Sequence, residues 1–326
     1  MSGATYNGVL VSPRTKSENR ARCAEIDVLA PRQRELCSRS RHILDVVSSG
    51  ASAGIDECQY QFRLRRWNCS TFNTTDVFGK ILDLKTREKA YIYAVSSAGV
   101  MHAVTQACAR GTLDICSCDT HVRAREPEAG FLWGGCSHNV NFGGVFTREF
   151  VDSNENRRRS DGLMNLWNNA AGRKTIKETM RLLCKCHGVS GSCSIKICWR
   201  TMAKFRDVGA ALKEKFNGAS RVRLGRKHRF QPLDRLQKRP TRKDLVYLEE
   251  SPDFCEANPA HGSLGTHGRQ CNRTSYGLDG CRLMCCGRGY HTIIRDLSED
   301  CNCKFFWCCR VVCETCTRIV EQHFCN

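Results

Sequence analysis

The chain has 326 residues, 24 of them cysteine, and a formal net charge of +18. Only Cys313 and Cys316 have CxxC spacing, and ten of the other cysteines fall in CxC or adjacent pairs, which favours disulfides over tetrahedral metal sites and points away from a reducing compartment. The charge favours polyanions, but no zinc-finger spacing, RNP-type run or recognition helix supports nucleic acid, which leaves sulfated glycans of the extracellular matrix as the better candidate.

Met1 to Arg22 lacks the apolar run of a signal peptide, and no later stretch is long enough to span a membrane. A secreted chain of this kind is therefore expected to be a fragment, an incomplete gene model or an exon-start variant. Residues 1–19 are set apart as a disordered or incomplete N-terminal segment. Residues 20–216 read as a helical N-terminal domain. Its first part, Arg20 to Phe62, is helical but broken or bent at Pro31, whose ring removes a backbone donor. Glu88 to Arg110 carries Tyr91, Val95, Ala98 and Met101 at helical spacing, with Ile92, Val100 and Ala103 apolar on other faces, so it is expected at the centre of a bundle. Gly111 stands where a left-handed glycine ends a helix. Leu163 to Leu183 and Met202 to Phe216 read as further helices, the second amphipathic through Phe205, Val208, Leu212 and Phe216.

Between those helices lies CKCHGVSGSCSIKICW, Cys184 to Trp199, where four cysteines bracket a small polar tip centred on Ser190. It reads as a stapled loop that displays something. The densest basic stretch, Ala219 to Lys243, falls in residues 217–250, taken as a basic linker that is solvated and mobile, a glycan site, or both. Residues 251–326 hold half of the cysteines and few long apolar runs, so covalent bonds must hold this domain. Within it, Cys303 to Cys313 reads as a hairpin with Phe305, Phe306 and Trp307 near the tip, either core or an exposed anchor for a partner. Three N-x-[ST] sequons, at Asn68, Asn73 and Asn272, agree with secretion.

The strings ECQYQFRLRRWNCS (Glu57 to Ser70), CKCHGVSGSC (Cys184 to Cys193), DLVYLEESPDFC (Asp244 to Cys255) and CCGRGY (Cys285 to Tyr290) resemble the hallmarks of the Wnt family across Cys23 to Cys325. FRDVGAALKEKF, with ECQYQFR and VFGK, is similar to the vertebrate subfamily numbered four. The resemblance implies a two-domain architecture: a mainly α N-terminal bundle with disulfide-stapled hairpins, then a small cysteine-rich β-hairpin domain. It implies a secreted signalling ligand, not an enzyme, that binds the cysteine-rich domain of Frizzled receptors. Ser190 would carry palmitoleate, added by the acyltransferase Porcupine, at the tip of a thumb hairpin (184–198) and flanked by Val189 and Gly191. A C-terminal finger hairpin (301–316) would supply Phe306, Trp307, Cys308 and Cys309 to the receptor. Implied partners also include co-receptors of the low-density-lipoprotein-receptor-related type, a Wntless-type carrier and heparan sulfate proteoglycans; no cofactor beyond the covalent lipid is implied.

The same resemblance implies the pairs Cys58 with Cys69, Cys108 with Cys116, Cys118 with Cys136, Cys184 with Cys198, Cys186 with Cys193, Cys255 with Cys286, Cys271 with Cys281, Cys285 with Cys325, Cys301 with Cys316, Cys303 with Cys313 and the vicinal Cys308 with Cys309. Cys23 and Cys37 are left over. Departures from the family pattern are Trp167 and Ala170 for a His and a Glu, Ile197 for a Thr, His138 for an Asp and Phe306 for a His. Those at Trp167 and Ala170 put a local polar contact in question. An alternative is an extracellular antagonist or matrix-bound relative without the lipid, against which the intact HGVSG string speaks. Catalysis by Ser190 and His187 is disfavoured, because GVSGS lacks the last glycine of a nucleophile elbow and a base three residues away in a tight hairpin is poorly aligned.

Overall fold

A computed structural model describes residues 16–70, 78–122, 130–189, 192–225, 228–234 and 236–326. The chain divides into two units, Met1–Gln61 with Leu84–Ser251, and Phe62–Asp83 with Pro252–Asn326.

The first unit is built on helices α1 (Lys16–Glu25), α2 (Pro31–Cys37), α3 (Ile43–Phe62), α4 (Arg87–Arg110), α5 (Val140–Val151), α6 (Ser160–Glu178) and α7 (Phe205–Asn217). The apolar residues of α4 occur on every face, and its Ala90, Tyr91, Val95, Ala98 and Met101 are fully buried among the neighbouring helices. Close approach depends on missing side chains. A Cβ on Gly99 would lie 2.2 Å from the carbonyl oxygen of Gly50 in α3, and one on Gly172 of α6 would lie 2.0 Å from that of Ala94. The helix ends at Gly111 with φ of 69°, and the Thr112 amide donates back to the Ala107 carbonyl, satisfying a terminal acceptor.

Three boundaries differ from the sequence expectation. Pro31 starts α2 rather than bending a longer helix, since the first turn needs no donor there. The sixth helix stops at Glu178, and Leu182 and Leu183, both 48 % exposed, belong to a strand whose pairing and disulfide outweigh local helical propensity. Met202 and Ala203 are buried ahead of α7 rather than within it.

The segment expected to be a linker is folded. Strands β1 (Leu132–Trp133), β2 (Arg181–His187) and β3 (Ile195–Thr201) form one sheet in the order β1-β3-β2; β4 (Ser220–Leu224), β5 (Phe230–Pro232) and β6 (Val246–Tyr247) form another in the order β5-β4-β6. Val222, Val246 and Tyr247 are buried with Met164 of α6, which supplies the apolar contact that charge counting hides. The Asn168 side chain acts as an extra strand residue: its Nδ2 donates to the Val246 carbonyl at 2.9 Å and its Oδ1 accepts from the Val246 amide at 3.0 Å. Deeper in the same helix, Arg173 donates to both carboxylate oxygens of Asp152 at 2.9 and 2.8 Å and to Ser97 Oγ at 3.0 Å. Asn169 adds a 3.0 Å bond to Asp152, so the buried ion pair is well satisfied.

The second unit contains β7 (Ala257–Asn258), β8 (Ser263–Leu264), β9 (Gln270–Cys271), a short α8 (Cys281–Met284), and the long strands β10 (Tyr290–Phe306) and β11 (Arg310–Cys325). Phe62–Asp83 joins this unit rather than the helical one. Trp67 packs between Phe62 and Phe254, and the Arg269 guanidinium donates to the carbonyls of Arg63, Arg65 and Arg66. Cys271, Cys281, Met284, Cys285 and Cys325 form a small core cluster, and Phe62, Trp67, Ile81 and Phe254 are also buried in this unit. Bridges Cys255–Cys286, Cys271–Cys281 and Cys285–Cys325 tie it together.

Candidate functional site

Two stapled hairpins present exposed tips. In the first, β2 and β3 pair antiparallel, with Cys184 directly opposite Cys198. These two cysteines are bonded, and Cys186 bonds to Cys193 inside them, so the second ring nests within the first. At the tip the Ser192 amide donates to the Val189 carbonyl at 3.1 Å, and a Cβ on Gly188 would fall 2.3 Å from Ser192 Oγ. Glycine is thus required for the turn to close. Val189 is 87 % exposed. Ser190 and Gly191 lie outside the described residues.

The base of this hairpin is anchored. Gly134 donates to the Cys198 carbonyl, His138 to that of Arg200, and the Arg200 amide to Ser137 Oγ. Ile197 pairs with Leu132 of β1, and Cys118–Cys136 and Cys108–Cys116 fasten the loops leading to β1 and beyond it. His138 Nδ1 accepts from the Met202 amide at 3.2 Å, so it needs a neutral ring nitrogen there. Burial holds the imidazole of His138 below its ordinary value, with nearby His102 adding to the effect; burial likewise lowers His102, partly opposed by its bond to the Ala203 carbonyl.

The second hairpin, β10 and β11, pairs from Tyr290 opposite Cys325 to Phe306 opposite Arg310, with a register shift between Cys301 and Lys304. It is longer than the expected 301–316 because its strands bury almost nothing; with no apolar face there is no period-two signal to read. Cys301–Cys316 and Cys303–Cys313 cross-link its distal half. Beyond them Phe305, Phe306 and Trp307 are exposed, Trp307 to 93 %, so of the two readings of these aromatics the structure selects the displayed tip over the core.

Cys308 and Cys309 do not form the expected vicinal bond. They are exposed free thiols with sulfurs 3.2 Å apart. Both residues take positive φ, 61° and 80°, to reverse the chain, and this turn leaves the sulfurs beyond bonding distance of ~2.05 Å. The hydrogen bond between the Cys309 thiol and Cys308 is the main cause that pushes the Cys309 thiol up, with desolvation adding to it. Cys23 and Cys37, for which the sequence offered no firm partner, bond to each other, and Cys58 and Cys69 are both disulfide-bonded. The sulfurs of Cys271, Cys285 and Cys325 cluster, but each is consumed by a disulfide and offers no thiolate to a metal. Of the sequons, Asn272 is exposed, Asn68 is half-buried, and Asn73 lies outside the described residues.

The basic stretch contributes a feature that the sequence did not signal. The indole Nε1 of Trp167 donates to the Asp244 carbonyl at 2.9 Å, Phe230 meets the ring edge-on, and the Arg242 guanidinium sits 4.4 Å over it. Trp167 therefore replaces a polar contact with a different one rather than losing it. Only the tertiary fold brings residue 167 to residues 230 and 242.

A family model described as the wnt family matches residues 25–326. Over 312 residues the chain is 47 % identical to Protein Wnt-5b of Xenopus laevis, covering 93 % of this chain and 87 % of the relative. It is 48 % identical to Protein Wnt-5b of Danio rerio, with coverage of 93 and 86 %, and 47 % identical to Protein Wnt-5a of Homo sapiens, with coverage of 93 and 82 %. These relatives carry the number five, where the sequence motifs suggested four. Among solved structures, a chain of human WLS in complex with WNT8A matches with a TM-score of 0.64 and 38 % identity, covering 86 % of this chain and 93 % of that one.

Proposed function

Because the chain belongs to the Wnt family and is a secreted signalling ligand rather than an enzyme, we propose that it signals by presenting its two hairpin tips to the cysteine-rich domain of a Frizzled receptor. The observation that supports this reading is the exposure of apolar side chains at tips held by nested or stacked disulfides, Val189 on one and Trp307 on the other. A stapled loop loses little further freedom on binding, and exposed aromatics are effective anchors.

Palmitoleate on Ser190, transferred by Porcupine, would supply most of the affinity at the first tip. Each buried CH₂ is worth ~0.8 kcal/mol, so an acyl chain covered by a receptor groove contributes on the order of 10 kcal/mol. The same chain must be covered in transit, and the Wntless-bound state of the WNT8A neighbour supports a carrier of that type here. Co-receptors of the low-density-lipoprotein-receptor-related class would complete the signalling complex, and heparan sulfate proteoglycans would retain the +18 chain in the extracellular matrix.

The decisive experiment is Ser190→Ala in cells that express Porcupine. Intact-mass analysis should show the acyl adduct on the wild-type thumb peptide only, and Frizzled binding should fall by at least a hundredfold with thermal stability unchanged. Wild-type affinity in the variant would remove the lipid from the mechanism.

A further inference from the structure

The cavity beside Trp167 has the make-up of a binding site. It measures about 470 Å³ and is lined by Arg157, Leu163, Leu166, Trp167, His228, Arg229, Phe230 and Arg242. Three guanidiniums and an imidazole share it, and among the described residues no carboxylate lies on its wall. Among the described residues Arg157, Arg229 and Arg242 form no ion pair with a carboxylate, in contrast to Arg221 and Lys243 of the same basic segment, which pair with Glu250 and Glu178. Asp244, two residues from Arg242, is occupied by the Thr241 amide and hydroxyl.

One of these cations, Arg242, is also held in place. The bond from Trp167 to the Asp244 carbonyl fixes the indole, and the indole fixes the Arg242 guanidinium over its face. Phe230 packs edge-on against the same indole at 5.7 Å between ring centroids. A guanidinium positioned before the ligand arrives loses little entropy on binding, and the fork of Arg matches an oxyanion group with two parallel hydrogen bonds. Leu163, Leu166 and Phe230 supply apolar wall that lowers the local dielectric and suits the C–H faces of a sugar ring.

We infer that this cavity is a defined subsite for one sulfated sugar unit of a glycan chain, rather than one part of a diffuse basic surface. This rests on the matrix-glycan reading given above, which requires only the overall charge. The tie between the two basic runs is tertiary: Arg157 belongs to the 157–159 arginine run ahead of α6, while Arg229 and Arg242 come from the β4–β5–β6 segment.

The test uses the full secreted chain and a size-defined, fully sulfated heparin tetrasaccharide, measured by calorimetry. Arg229→Ser with Arg242→Ser should weaken binding tenfold or more. Lys174→Ser with Lys177→Ser, which removes the same charge from a separate cavity lined by Gly144, Arg148 and Ala170, should weaken it less than threefold. Trp167→Leu, which changes no charge, should also weaken it at least fivefold while the thermal midpoint of the exposed Arg229/Arg242 variant stays at the wild-type value. Equal losses in the two double variants, or unchanged binding of a desulfated tetrasaccharide, would overturn the subsite. If the wild-type chain fails to bind any heparin fragment, the glycan reading fails with it. Tight binding of an acidic peptide or a phosphoinositide vesicle in place of the tetrasaccharide would likewise overturn the assignment.

Discussion

Individual side chains carry two kinds of stability in this protein. Arg173 and Asp152 form a buried pair in which every contact is matched, and removing one partner strands the other's charge. Arg173→Met should cost ~3–5 kcal/mol by chemical denaturation of the secreted chain, and a loss below ~1 kcal/mol would show that solvent reaches Asp152. The two half-buried histidines, His102 and His138, act differently. Their folded-state values lie below the ordinary 6.5, so the unfolded chain binds more protons as pH falls. Their contribution is complete above about 6.5 and is lost progressively as pH drops below it toward the folded-state values. Thermal midpoints should therefore decline between neutral pH and pH 5, and His138→Gln should flatten that decline; an unchanged slope would place the titration elsewhere. Arg173, Asp152 and His102 do not stand out in the sequence, and His138 does so only as a departure from the family pattern, because each owes its role to a partner brought near by folding.

At the level of elements, legibility followed how much of an element's stability is local. The fourth helix was readable to within one residue at its start, since apolar periodicity and a terminal glycine both speak at short range. The boundary between α6 and β2 was not, because Leu182 and Leu183 look helical and only the opposite strand makes them otherwise. The basic segment failed for a related reason: its few apolar residues, Val222, Val246 and Tyr247, find their partners on α6. The thumb was legible as a stapled loop, and the family motif named its serine, but the anchoring of its base by Gly134, Ser137 and His138 had no local signal. Helix contacts give a direct check. Gly172→Ala places a methyl 2.0 Å from the Ala94 carbonyl oxygen and should cost ~1–3 kcal/mol, whereas an alanine at exposed Lys177 should be nearly neutral. Comparable melting temperatures for the two variants would show that α6 can slide.

Across the whole molecule the two units rely on different forces. The first buries a helical core around α4, whereas the second gathers a small, largely cysteine-built core and, among the described residues, holds five internal disulfides, two of them in the finger. Graded reduction followed by hydrogen exchange should therefore release amides of 252–326 before those of α4. Simultaneous release would mean that the helical unit is equally dependent on its bridges. Exposed Asn272, whose side-chain oxygen accepts from both the amide and the hydroxyl of Thr274, is expected to carry a glycan, which a mass shift on enzymatic deglycosylation would reveal.

The length of the β10–β11 ribbon has a consequence for how such a ligand can diversify. From Cys301 outward the ribbon contributes nothing to the unit's core, and its shape is kept by backbone pairing and two cross-links. Substitutions at Phe305, Phe306, Trp307, Val311 or Val312 therefore meet no packing constraint from the rest of the unit. Mutation can explore partner preference at these positions without first passing through a misfolded intermediate genotype, so what limits the tip is the partner it meets and not the scaffold that carries it.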